Sequence, residues 1–228
     1  MICSVFVAAV LVAGSAAIED LPFPGCRGSA KYKVTFFNLL TAENFGDLIP
    51  SDGLVYSPLA AFSHSNRQSF FTIRGFANGP VEQVAETGVN TRIIRLGRRL
   101  RRQGRGVLSV VDAGAVTMPG KSTSVILRVD CAHPFVTVLG MIAPSPDWIV
   151  QINNRNLFDV SRGRFVRRMA GDLIAYDSGV DDGREFTPPL DLSLDLPTVP
   201  QKNIAPLVED ETDRFEGRNV GRYTIERI

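Results

Sequence analysis

The sequence is poor in the side chains on which most catalytic and metal centres are built. Only two histidines occur, His64 and His133, and they stand far apart in the chain. There is no His-Glu-x-x-His, no Gly-x-Ser-x-Gly, no glycine-rich phosphate loop and no Cys-x-x-Cys pair. Two isolated imidazoles are a poor base for zinc. A hydrolase built on His64 or His133 lacks a partner at any motif spacing, so no enzymatic activity is expected. An excess of one charge is also missing: 25 Lys and Arg stand against 24 Asp and Glu, for a net charge of +1. The whole protein therefore has no pull toward nucleic acid or anionic membrane, and an electrostatic partner must meet a local patch. No Asn-x-Ser/Thr sequon is present, which excludes N-glycosylation. After the first twenty residues no apolar run is long enough to cross a bilayer.

What is present is an ordinary globular composition, with 44% apolar and 21% charged residues in 228. That length supports one domain with a sizeable core. The opening stretch carries no charge from Ile2 to Ala13 and ends in small residues. It reads as a secretory signal peptide over residues 1–17, being short for a membrane anchor. Residues 18–30 follow as an N-terminal segment, and 31–228 as the folded domain. Cys3 would leave with the signal. Cys26 and Cys131 remain, an even pair in an oxidising compartment, so one disulfide is expected, with two free thiols as the alternative.

Strand signals dominate. Tyr32, Val34 and Phe36 alternate with Lys33, Thr35 and Phe37. From Val107 onward "VLSVVDAGAVTM", "STSVILRV", "FVTVLGMI", "DWIVQI" and "GDLIAY" read as further strands, and "RYTIERI" as the last. Residues 44–67 read as a long packed connection, and 182–219 as polar sequence with little periodicity. Two helices interrupt the strands. One is opened by Asn78-Gly79-Pro80 and closed by Gly88; the other runs from a cap at Asn90 to about Gln103, with Ile93, Leu96 and Leu100 on one face. The fold class is mainly β: an antiparallel β-sandwich with one or two short helices.

Carboxylates carry the most chemistry. Asp147 ends the turn "PSPD" directly before Trp148, the only tryptophan, and Asp177, Asp181 and Asp182 lie in "YDSGVDDG" after another apolar strand. The second loop is not an EF-hand, because Asp182 and Pro188 stand where glycine and glutamate are required. If both strands end at one pole of the sandwich, Asp147, Asp177 and Asp181 converge. Unpaired carboxylates brought together repel, so a divalent cation, calcium, is their natural partner. A solvated acidic turn is the alternative.

Four segments carry a resemblance: "YKVTF"; "SPLAAFSHS" with "GFANGPVEQVAETG"; "HPFVTVLGMIAPSPDWIVQI"; and "LIAYDSGVDDGREFTPP". In this order they resemble the spondin domains of extracellular proteins, from about Tyr32 to Ile228. The resemblance implies a β-sandwich that binds calcium through aspartates matching Asp147, Asp177 and Asp181. It also implies a secreted module of extracellular matrix and cell adhesion, whose partner is a matrix or cell-surface protein. Three departures qualify it. Relatives carry a thrombospondin-type repeat after the domain, and this sequence ends at the last expected strand. Relatives pair the N-terminal cysteine with one after the Ser-Pro-Asp-Trp segment, where this chain has Phe158, so a Cys26–Cys131 bridge does not follow from the family. An acidic residue that helps some members engage integrins is replaced by Arg128, with Asp130 two positions on.

The remaining feature is "TRIIRLGRRLRRQGRG", with seven arginines from Arg92 to Arg105 and no acid between them. On a helix, Arg95, Arg98, Arg99, Arg101 and Arg102 face outward. Such a stripe suits a polyanion such as heparan sulfate, or a membrane surface, through guanidinium contacts. The plain alternatives are a solvated face and a dibasic protease site. Nucleic acid does not fit a secreted protein.

Overall fold

Period-two burial builds the smaller sheet. In the computed structural model, which describes residues 23, 25–181, 183, 185–186, 201–209 and 213–228, strand β1 (Ser29–Asn38) buries Ala30, Tyr32, Val34 and Phe36 and exposes the lysines between them. The segment expected to be a signal peptide lies outside the described residues. β1 pairs antiparallel with β13 (Gly221–Arg227) on one side and β5 (Ser122–Asp130) on the other, while β10 (Arg168–Leu173) flanks β13. The first and last expected strands are thus neighbours, with Val34 opposite Ile225.

The larger sheet faces it. Its order is β12 (Ala205–Pro206), β11 (Ala175–Asp177), β7 (Trp148–Asn156), β6 (Phe135–Ala143), β3 (Ala60–His64) and β4 (Val107–Asp112), with β2 (Val55–Tyr56) paired to the end of β6. A small hairpin, β8 (Phe158–Asp159) with β9 (Arg164–Phe165), stands apart. One core fills the gap between the sheets, with Tyr32, Phe36 and Leu127 meeting Val136, Val138 and Val150. A second core lies on the outer face of the larger sheet. There Phe62, Leu139 and Ile149 are covered by α2 (Gly79–Thr87) and α3 (Thr91–Arg102), which follow a single helical turn, α1 (Ala42–Phe45), in the chain. The architecture is the expected antiparallel sandwich with a third, helical layer.

That third layer explains what sequence pattern misread. Residues 44–67 are not a connection alone, because β3 within them is an interior strand of the larger sheet, between β6 and the edge strand β4, and all its residues are buried. A strand covered on both sides has no polar alternation to betray it. "GDLIAY" is two strands rather than one: β10 belongs to the smaller sheet and β11 to the larger, and the chain changes sheets at Ile174. Both halves bury alternate residues, so the pattern runs on across a corner. "VLSVVDAGAVTM" ends as a strand at Asp112, and beyond it only Thr117 bridges to Tyr56.

The helices follow their end signals with one exception. Asn78 Oδ1 accepts the Val81 N–H (3.3 Å), and Gly88 closes α2 at φ 67°. Asn90 holds the N-cap position of α3, its C=O accepting the Ile94 N–H (3.0 Å), but its side chain makes no capping bond. Its amide donates instead to Pro58 O (3.1 Å) and Asp112 Oδ1 (2.9 Å), and Gln83 Oε1 accepts the Arg92 N–H (3.0 Å) in its place. The buried face of α3 is Ile93, Ile94, Gly97 and Leu100, with Leu96 only half-buried. Gly97 lies at the closest approach, where a Cβ would stand 2.6 Å from Phe62 Cε1.

Cys26 and Cys131 form the disulfide, with Cα atoms 5.6 Å apart, tying the segment before β1 to the end of β5. Among the described residues no helix is long and apolar enough to cross a membrane.

Candidate metal centre

The turn between β6 and β7 is fixed from within. Ser145 Oγ donates to Ile142 O (2.5 Å) and accepts the Trp148 N–H (3.0 Å). Trp148 is completely buried and meets the edges of Phe215 (5.4 Å) and Phe186 (5.5 Å). With its neighbour anchored in this way, Asp147 has no freedom to swing to solvent, and it too is completely buried.

The second loop comes to Asp147. β11 pairs with β7 so that Asp177 lies opposite Trp148. The chain then turns over the carboxylate of Asp147, and one oxygen takes three donors: Ser178 Oγ at 2.8 Å, Val180 N at 2.8 Å and Asp181 N at 3.2 Å. Asp177 Oδ1 accepts the Gly179 N–H (2.6 Å) and Asp181 Oδ1 the Gly183 N–H (2.8 Å), so each shapes its own turn. Two glycines allow the close packing. A Cβ on Gly179, which sits at φ 75°, would lie 2.2 Å from Lys202 O, and one on Gly183 would lie 2.8 Å from Pro146 Cβ. Lys202 N–H donates to Gly179 O (2.7 Å), bracing the loop from behind.

Burial raises the pKa of Asp147 above the usual carboxylate range, and the nearby charge of Asp181 raises it further. The donors from Val180, Ser178 and Asp181 oppose this by favouring the ionised form. All three serve Oδ2. Oδ1 is buried with no hydrogen-bond partner among the described residues. An orphaned carboxylate oxygen in such a place costs on the order of 1–3 kcal/mol or more.

The expected convergence of the two loops is therefore formed at one pole of the sandwich. Among the described residues, however, no three His, Cys, Asp or Glu side chains are gathered into an arrangement that would hold a metal. Asp182 lies outside the described residues. In residue type the site fits a hard cation: two adjoining acidic loops and one buried carboxylate oxygen without a partner among the described residues. Asp147 Oδ1 is the atom that a cation would satisfy.

Sequence pattern alone missed Ser178, although it follows Asp177 directly. A serine in a polar loop carries no sign that it will be completely buried against a carboxylate. It also missed Phe186 and Phe215, which lie in polar, aperiodic sequence.

The other singled-out residues fall elsewhere. Arg95, Arg98, Arg99, Arg101 and Arg102 are all exposed on α3, as the helical reading requires. The arginine pairs at 98–99 and 101–102 lie within regular helix rather than an extended cleavable loop. Asp130 is engaged in a turn, accepting the Ala132 and His133 N–H groups and contacting His133 Nδ1 (2.8 Å). The Arg128 backbone is held at both N–H and C=O by Ser109 Oγ (3.0 and 2.9 Å), which joins the sheet edges β4 and β5. His64 is completely buried, with Nδ1 on Ser65 O (2.9 Å) and Nε2 on Thr137 Oγ1 (2.8 Å), so both nitrogens are used in packing.

Comparison with known proteins adds a lineage to this geometry. The family model described as Spondin_N matches residues 30–216. Human spondin-1 is 29% identical over 227 residues, covering 92% of this chain and 27% of its own length. Chicken (Gallus gallus) spondin-1 is 30% identical over 230 residues, covering 94% of this chain and 28% of its own length. Human spondin-2 is 28% identical over 180 residues, covering 78% of this chain and 52% of its own length. The chain thus spans about a quarter of spondin-1 and about half of spondin-2.

Proposed function

The chain belongs to the Spondin_N family, and from that premise we propose that it is a secreted, non-catalytic module of the extracellular matrix or cell surface, stabilised by calcium at the junction of the Asp147 and Asp177–Asp181 loops. The orphaned Oδ1 of Asp147 carries the metal reading, because a buried acceptor with no donor is what a cation would complete. Asp147, with Asp177 and Asp181, would hold the ion. The ion would supply positive charge that offsets the repulsion between Asp147 and Asp181 and locks the second loop on the first. The Cys26–Cys131 bridge agrees with an oxidising compartment. The partner is a matrix or cell-surface protein, and the rigid loop pole is the surface that calcium would prepare for it.

Thermal unfolding in calcium and in chelator tests the metal reading. Calcium at a hundredfold excess over its dissociation constant stabilises a one-site protein by about 2.7 kcal/mol, which raises Tm by roughly 5–10 °C at this size. A Tm that calcium does not move, with Asp177→Asn equally silent, rejects it.

A further inference from the structure

The outward face of α3 is a second, separate surface. Arg92, Arg95, Arg98, Arg99, Arg101 and Arg102 are all exposed, with Arg105 just beyond the helix. Among the described residues none of them forms a salt bridge, whereas the ion pairs that do form engage arginines at positions 74, 162, 168, 214, 218 and 222. Arginines at 95 and 99, and at 98 and 102, are spaced i,i+4. Like charges at that spacing destabilise a helix. The face therefore holds uncompensated repulsion that a polyanion would turn into attraction.

The helix is also a fixed platform. Gly97 lets its axis settle on Phe62, and Phe62 is stacked on Phe70 with centroids 3.8 Å apart. At about 1.5 Å per residue, Arg92 to Arg102 spreads over roughly 15 Å, longer than one small anion and suited to an extended chain of them. The Ser65 N–H donates to Gly106 O (2.9 Å), which brings the loop carrying exposed Arg67 against the turn carrying Arg105 and lengthens the basic track.

We infer that this face binds a sulfated polysaccharide of the glycosaminoglycan class, each sulfate taken by guanidinium groups in charge-assisted, planar contacts. The geometry favours this over an anionic membrane. An interfacial helix needs apolar side chains to enter the lipid, and Ile93, Ile94 and Leu100 are spent on the sheet. The disulfide disfavours a nucleic-acid partner by compartment. The surface lies on the helical layer and does not use the Asp147 loops, so it stands whether or not those loops take calcium.

The test is retention of the full chain on immobilised heparin. The native protein is retained and elutes only as salt screens the contacts. Arg95→Gln/Arg98→Gln/Arg99→Gln/Arg102→Gln loses affinity about tenfold or more, the combined effect of four exposed charge contacts. The matching four Arg→Lys changes retain more than the Gln set, and desulfated heparin does not displace the protein. Circular dichroism confirms the helix. If the quadruple Gln variant does not fold, the pairs Arg95→Gln/Arg99→Gln and Arg98→Gln/Arg102→Gln are measured instead. Equal elution of native and folded Gln variants overturns the inference. So does displacement by desulfated heparin, or binding to phosphatidylserine vesicles without binding to heparin.

Discussion

Asp147 and Ser178 are 31 positions apart in sequence, yet their side chains meet at 2.8 Å with both residues completely buried. This contact, with the N–H groups of Val180 and Asp181 on the same oxygen, docks the acidic loop on the tryptophan turn. Asp147 thus has two parts. Oδ2 carries the docking contacts, and Oδ1 is buried with no hydrogen-bond partner among the described residues, the atom to which the proposed calcium would bind.

Changes at the two partners separate those parts. Ser178→Ala removes one of three donors and costs about 1–2 kcal/mol, while leaving a calcium response. Asp147→Asn removes the charge whose burial is costly, so its Tm in chelator stays near that of the native protein and calcium no longer raises it. Trp148, the sole tryptophan, touches Asp147 in sequence and reports both melts by its fluorescence.

The disulfide closes a separation of 105 residues. In the chain-entropy account such a loop stabilises by about 4–5 kcal/mol, with measured losses of roughly 2–5 kcal/mol. Cys26→Ala/Cys131→Ala therefore lowers the urea midpoint strongly, and reduction of the native protein does the same. A midpoint within error of native would refute this.

His64 gives the acid sensitivity a local origin. Desolvation lowers its pKa below 6.5, against the smaller opposing effect of backbone acceptors at Ser65 and Gln68. Ser65 O can only accept, so Nδ1 carries the proton and Nε2 accepts from Thr137 Oγ1. A depressed folded pKa contributes stability that is present above the unfolded value and lost as pH falls from about 6.5 toward the folded value. Denaturant midpoints measured from neutral pH downward decline in that window, and His64→Gln flattens the decline.

Gly97→Ala sets two effects against each other. Alanine favours helix by about 0.8–1 kcal/mol, but its Cβ at 2.6 Å from Phe62 Cε1 meets a ring already stacked on Phe70. Overpacking of this kind costs about 1–3 kcal/mol. The net outcome is a lower Tm with unchanged helical content, whereas Gly104→Ala, with nothing within 4 Å of the added Cβ, is limited to the strain of its φ of 64°.

Legibility followed exposure. The smaller sheet alternates from Ala30 to Phe36 because one face is wet, and α2 and α3 announced their ends through Asn78, Gly88 and the arginine stripe. β3 was invisible because helices cover its outer side, and the change of sheets at Ile174 was invisible because both strands keep the same alternation.

By itself, then, the sequence determined the β-rich class, the outward arginines, the cysteine pair and the acids at two loop tips, since each is a matter of local pattern or residue type. Tertiary structure alone decided that α2 and α3 form a third layer, that the side chain of the N-cap residue Asn90 turns to Asp112, and that Asp147 is buried beneath Ser178. Those outcomes depend on which surfaces meet. Whether a carboxylate is solvated or starved of partners is a property of the residues that fold over it.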